Sequence, residues 1–154
     1  MKQVEIYTDG GCLGNPGPGG YGAILTFGEH RKELSGGYAL TTNNRMELMA
    51  CIKALEALKF PCKVTITSDS KYVVDSMTKG WAKRWRANNW KRNSKDKAEN
   101  PDLWAILLDL AEQHTVDFVW VKGHDGHTEN ERCDQLAKEA ASANALEKDG
   151  GYDG

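Results

Sequence analysis

No apolar run in the 154 residues approaches the ~20 that cross a membrane as a helix, so a membrane-spanning helix is not expected. The opening Met1-Lys2-Gln3-Val4-Glu5 lacks a long apolar segment, which argues against a secretion signal. Cysteine is sparse and scattered: Cys12, Cys51, Cys62 and Cys133 form no C-x-x-C pair. Reduced thiols in a cytoplasmic protein are the expectation. A large excess of one charge is missing too, and a net charge of −2 announces no nucleic-acid partner. No internal repeat or linker-like stretch divides the chain, and its length suits one domain able to bury a core. That domain is expected over 1–143, as a monomer. The small, polar, glycine-rich end, 144–154, is expected to be disordered.

Two nucleotide signatures are also lacking. Gly17, Gly19 and Gly22 match G-x-G-x-x-G, but that fingerprint must open a helix, and Tyr21 to Phe27 reads as a strand. The loop has no Gly-Lys-Ser/Thr. Its backbone N–H groups, helped by Asn15, suit a phosphate about as well as they suit a plain hairpin connection. Zinc fits poorly, because His124, His127 and Cys133 make no closed four-ligand spacing.

What is present begins with Val4-Glu5-Ile6-Tyr7-Thr8-Asp9, a β-branched and aromatic run ending in a carboxylate before Gly10-Gly11. A strand end aims a side chain rigidly while the loop leaves room for a ligand. Asp9 starting a turn with Gly10 is the plainer reading. Val64-Thr65-Ile66-Thr67-Ser68-Asp69 repeats the pattern, and for Asp69 taken alone the cap of the helix that follows is the plainer reading. Between them, Tyr21 to Phe27 and Arg31 to Gly37 form a hairpin about Gly28-Glu29-His30. Leu48, Cys51, Ile52, Leu55 and Leu58 then mark one buried helix face. Asn44 with Glu47 has capping-box spacing, so for Glu47 taken alone the cap is the plainer reading. Asn100-Pro101-Asp102 opens another helix, Val116 to Val121 is a fifth strand, and Thr128 with Glu131 fits a capping box for a last helix carrying Asp134.

This order suits an α/β fold: a five-stranded mixed sheet, order 3-2-1-4-5, with helices on both faces. Right-handed crossovers would set the strands ending in Asp9 and Asp69 side by side. Glu47 and Asp134 would reach the same edge from the first and last helices. Four acids meeting there would repel by several kcal/mol unless protons, basic groups or cations intervene. Oxygen ligands favour Mg²⁺ or Mn²⁺, and an ion pair about 4 Å apart serves in-line phosphodiester cleavage.

One segment breaks the neutral balance. From Lys79 to Lys97, eight cations stand against Asp96 alone, leaving a net +7 there and −9 elsewhere. Lys83, Arg84, Arg86 and Lys91 alternate with Trp81, Trp85 and Trp90. A solvated face is the ordinary reading, and helical spacing makes Trp81 and Trp85 candidates for a small core. Cations this dense repel unless a polyanion meets them.

Five stretches then carry a resemblance: Thr8-Asp9-Gly10; Gly14 through Gly22; Thr42-Asn43-Asn44-Arg45-Met46-Glu47; Ser68-Asp69-Ser70; and Gly123-His124 through Asn130-Glu131-Arg132-Cys133-Asp134. Together they resemble the type 1 ribonuclease H family, close to its bacterial HI branch, from about Lys2 to Ala143. The resemblance implies an endonuclease that hydrolyses the RNA strand of RNA–DNA hybrids with two Mg²⁺ ions, Mn²⁺ substituting, and leaves 5′-phosphate and 3′-hydroxyl ends. It implies metal binding by Asp9, Glu47, Asp69 and Asp134, with Asp9 bridging both ions. Asp134 would complete the site of the water-activating ion, and Glu47 and Asp69 would hold the ion at the leaving oxygen. His124 would serve proton transfer or product release, with Glu131 near the same site. Cys12, Asn15, Asn43, Asn44 and Lys71 would touch the hybrid's minor groove, and the Lys79 to Lys97 segment would grip the DNA strand. Gly11 stands where serine is common, Lys71 where glutamine is common, and Asp125 adds a charge beside His124.

Two other readings share these residues. A resolvase- or transposase-like relative would prefer duplex DNA. A non-catalytic hybrid- or RNA-binding module would show salt-sensitive binding without metal-dependent cleavage.

Overall fold

A computed structural model describes residues 1–123, 127–143 and 146–152. The elements run β1 (Lys2–Cys12), β2 (Gly17–Phe27), β3 (His30–Thr41), α1 (Asn43–Glu56), β4 (Cys62–Ser68), α2 (Lys71–Thr78), α3 (Trp81–Ala87), α4 (Pro101–Glu112), β5 (Thr115–Trp120) and α5 (Thr128–Ala141). The strands form one sheet in the expected order, β3-β2-β1-β4-β5. β1 pairs antiparallel with β2, and β2 with β3; β1–β4 and β4–β5 are parallel.

Alternation along each strand decides which side chains go where. Val4 and Ile6 of β1, with Val64 and Ile66 of β4, face a large core shared with Leu48, Ile52 and Leu55 of α1 and Leu103, Trp104 and Leu107 of α4. The opposite face carries α5, where Cys133 and Leu136 pack on Ile24 and Tyr7. Trp85 stacks edge-on against Trp104, so this member of the basic segment belongs to the core, as its spacing suggested.

Three caps differ from expectation. Thr42, not Asn44, caps α1, its hydroxyl accepting the Arg45 N–H at 3.2 Å. That register leaves Glu47 beyond the capping-box position. Ser70, not Asp69, caps α2 by accepting the Val73 N–H at 3.2 Å. α5 begins after His127, and no side chain caps it, so Thr128 and Glu131 do not form the expected box. In two of these cases an acid read as a possible cap is released for other contacts.

Residues 146–152 of the tail run back along the domain. The Ala39 N–H donates to the Glu147 carbonyl at 2.8 Å, laying the segment along β3. The buried Asp149 carboxylate then takes two guanidinium hydrogen bonds from Arg45, at 2.8 and 3.1 Å, and the Thr41 hydroxyl at 2.7 Å. The tail has little apolar area to bury. A buried counter-charge holds this segment.

Candidate active site

β1 delivers Asp9 to the sheet face that Tyr7 shares, the side on which α5 lies. Thr8 and Ser68 are register partners in the parallel β1–β4 pair, so Asp9 and Asp69 each follow a paired residue and stand side by side. Glu47 arrives because α1 crosses the end of β1 at very close range. A Cβ on Gly10 would lie 2.5 Å from the Met46 carbonyl oxygen and 2.6 Å from the Glu47 nitrogen, which only glycine avoids. The Gly10 N–H donates to Glu47 Oε1 at 2.5 Å. Asp134 arrives by a similar approach. Gly22, the register partner of Asp9, lies under α5, where a Cβ would come within 2.8 Å of Leu136 Cβ.

Carboxylate oxygens of Asp9, Glu47 and Asp69 lie within 4.8 Å of one another. The Asp9 carboxyl also hydrogen-bonds with both Glu47 and Asp134. Such contacts between acids require shared protons, and the titration follows. Burial pushes Asp9 up to about 7, and the charges of Asp69 and Asp134 push the same way. Burial, then the Asp9 charge, raises Glu47 well above its ordinary value, against the pull of the Gly10 N–H. At its outer edge Asp134 pairs with Lys138 at 3.0 Å, but that ammonium is 68% exposed and neutralises little of the cluster. The donor set is carboxylate oxygen with negative charge in excess, which suits a hard divalent cation. Lys122, His127, Asn130 and Glu131 line the same pocket as Asp9, Asp69 and Asp134.

The other predicted residues fall into two groups. Asn15 Oδ1 accepts the Asn43 N–H at 3.1 Å, and Asn43 Oδ1 accepts the Cys12 N–H at 2.8 Å. These bonds tie the β1–β2 loop to the start of α1, beside half-buried Asn44. Lys71 opens α2 two residues after Asp69, its ammonium 4.8 Å from the Trp120 ring. In the second group, Trp81, Arg84, Trp85, Lys91 and Arg92 line one basic groove. Lys83 is exposed on the same helix, while Arg86 turns to Asp109 of α4 at 2.8 Å. His124 lies outside the described residues.

The RNase H family model matches residues 1–142. The chain belongs to the ribonuclease H family. It is 66% identical over 152 residues to the ribonuclease H of Syntrophus aciditrophicus, covering 99% of this chain and 88% of that one. Among solved structures it is similar to LC9-RNase H1, a type 1 RNase H with the type 2 active-site motif, at TM-score 0.82 and 35% identity over 92% of this chain and 72% of that. It is also similar to LC11-RNase H1, solved in complex with an RNA/DNA hybrid, at TM-score 0.69 and 27% identity over 90% and 96%. Members of the family are metal-dependent, and the acid cluster fits that requirement.

Sequence reasoning missed three neighbours of the site. Trp120 Nε1 donates to the Asp69 carbonyl at 3.1 Å while its ring carries Lys71. Its place at the end of a strand expected beside Asp69 was the available signal. Lys138 was legible as the i+4 partner of Asp134. Arg45 stood inside a quoted motif, but no local pattern names Asp149 as its partner.

Proposed function

We propose that the chain hydrolyses the RNA strand of RNA–DNA hybrids by in-line attack of water, leaving 5′-phosphate and 3′-hydroxyl ends. The observation that carries this reading is the meeting of Asp9, Glu47 and Asp69, from three separate elements, in a fold of the ribonuclease H family. When bound, two Mg²⁺ ions, with Mn²⁺ as substitute, would supply Lewis acidity and lower the pKa of water. Asp9 is the central ligand, supported by its contacts with both Glu47 and Asp134. Glu47 and Asp69 would help hold one ion, and Asp134 would help hold the other. His124, following Gly123 at the Asp69 carboxylate, handles a proton or product release.

Substrate binding follows from the two other groups. Amides and a thiol at Cys12, Asn15, Asn43 and Asn44 present neutral hydrogen-bonding groups suited to 2′-hydroxyls in a shallow minor groove. Lys71 adds a cation beside the acids. Lys83, Arg84 and Lys91 meet the DNA strand's phosphates with Trp81 beside them, and Arg86 contributes less because it pairs with Asp109. Free thiols at all four cysteines, three of them buried, support a reducing, cytoplasmic setting.

A labelled hybrid incubated with Mg²⁺, with EDTA, and with Asp9→Asn or Asp69→Asn chains tests the reading. Cleavage is expected to stop in EDTA and to fall by about 10³-fold or more in each variant, with the far-UV spectrum unchanged. A folded Asp69→Asn chain cutting at the native rate, or a native chain preferring duplex DNA, overturns it.

A further inference from the structure

We propose that Tyr152 is a further hybrid-binding residue, carried to the minor-groove edge of the site by a strap formed from 146–152. The inference rests on the function proposed above. Arg45 lies between Asn44 and Glu47 and is 2% exposed, so its charge must be met inside the protein. Five hydrogen bonds match its five donors: two to Asp149, two to Asp102 and one to Asn100 Oδ1 at 3.2 Å. One guanidinium therefore joins the start of α1, the start of α4 and the strap.

That junction fixes where the strap ends. The Tyr152 N–H donates to the Asp149 carbonyl at 3.1 Å, and the ring centroid comes to 6.0 Å from the Arg45 guanidinium carbon. Between them, Gly151 passes so close to the ion pair that a Cβ there would lie 2.7 Å from Arg45 Nη2. The chain turns tightly over the arginine and leaves Tyr152 half-buried in a groove of about 560 Å³. Asn15, Asn43, Asn44, Glu99 and Asn100 line the same groove.

The chemistry of that groove points to a ligand class. Its lining is mostly amide and phenol, with Pro16, Thr42 and one carboxylate, Glu99, which would repel phosphate. Sugar hydroxyls and base edges are what such a surface recognises. The groove lined by Arg84, Lys91 and Arg92 has the opposite character and suits phosphate. A tail needing only an anchor already has one in Asp149. Tyr152 lies past the anchor, and its ring borders residues assigned to the hybrid.

The test measures binding of a fluorescent RNA–DNA hybrid by Asp69→Asn chains over a range of salt, with thermal melts alongside. Tyr152→Ala is expected to raise Kd about 2- to 10-fold, the worth of one neutral hydrogen bond. The salt slope should not change, because no charge is lost. Gly151→Ala, which keeps the tyrosine but forces the turn off the ion pair, should weaken binding in the same range. Native affinity in Tyr152→Ala overturns the proposal, and so does a loss of affinity that tracks a matching loss of melting temperature. Failure of the native chain to prefer a hybrid over duplex DNA would instead overturn the parent reading.

Discussion

Arg45 and Glu47 are both buried near the start of α1, yet their charges are treated in opposite ways. Arg45 is met by Asp149 and Asp102, and those carboxyls are held below their ordinary range by the hydrogen bonds they accept from it, against the effect of burial. Glu47 is met chiefly by other acids, and its titration, like that of Asp9, is pushed up. The first cluster contains its own counter-charge and is complete within the chain. The second has the exposed Lys138 as counter-charge at its edge, and its donor set suits divalent cations. Buried charge alone does not mark a functional site; buried charge of unbalanced sign does.

The comparison breaks most visibly at the complete cluster. Asp149→Asn leaves half of a buried guanidinium without a carboxylate, and is expected to lower stability by about 3 kcal/mol at pH 7. The pH dependence carries a definite sign. Because Asp149 titrates below its ordinary value in the folded chain, its contribution is present above pH ~4 and is lost as pH falls. Urea melts at pH 7 and pH 3 measure this, and the gap between native and variant should narrow in acid. An unchanged midpoint at pH 7 would show that the strap is held by something else.

The acid cluster should respond in the opposite direction. Asp9 takes its proton near pH 7 when folded and near 3.8 otherwise, so folding binds protons between those values. Its contribution is full below about pH 4 and is lost as pH rises through 7. Asp9→Asn removes that cost, and is expected to stabilise the metal-free chain by about 1–2 kcal/mol at pH 8 with little effect at pH 4. Mg²⁺ should raise the melting temperature of the native chain more than that of the variant. Loss of stability in Asp9→Asn at pH 8 would mean that the acids are already neutralised.

What the sequence made legible follows the same division. Asp9 and Asp69 were readable because two strands end in the same way, and the parallel register of Thr8 with Ser68 then sets them together. Helix caps were less legible, since Thr42 and Asn44, or Asp69 and Ser70, compete one or two residues apart and packing decides. The strap was not legible at all. Asp149 lies 104 residues from Arg45, and a partner at that distance leaves no periodic trace. The close approaches at Gly10 and Gly22 were visible only as glycines, with nothing to say what pressed on them.

The basic segment extends the contrast to the surface, where energies are smallest. Arg84 lines the groove with Lys91 and Arg92, whereas Arg86 already pairs with Asp109. An arginine whose charge is spoken for releases fewer counterions when a polyanion binds. Arg84→Gln should therefore reduce the slope of log affinity for the hybrid against log salt by about 0.7–0.9. Arg86→Gln should reduce it by less, and Asp109→Asn should steepen it by returning Arg86 to the substrate. Each exposed contact is worth about 1 kcal/mol or less, so the slope reads the effect better than affinity at one salt concentration. Equal slopes for the two arginine variants would show that an internal partner does not withhold charge from the hybrid.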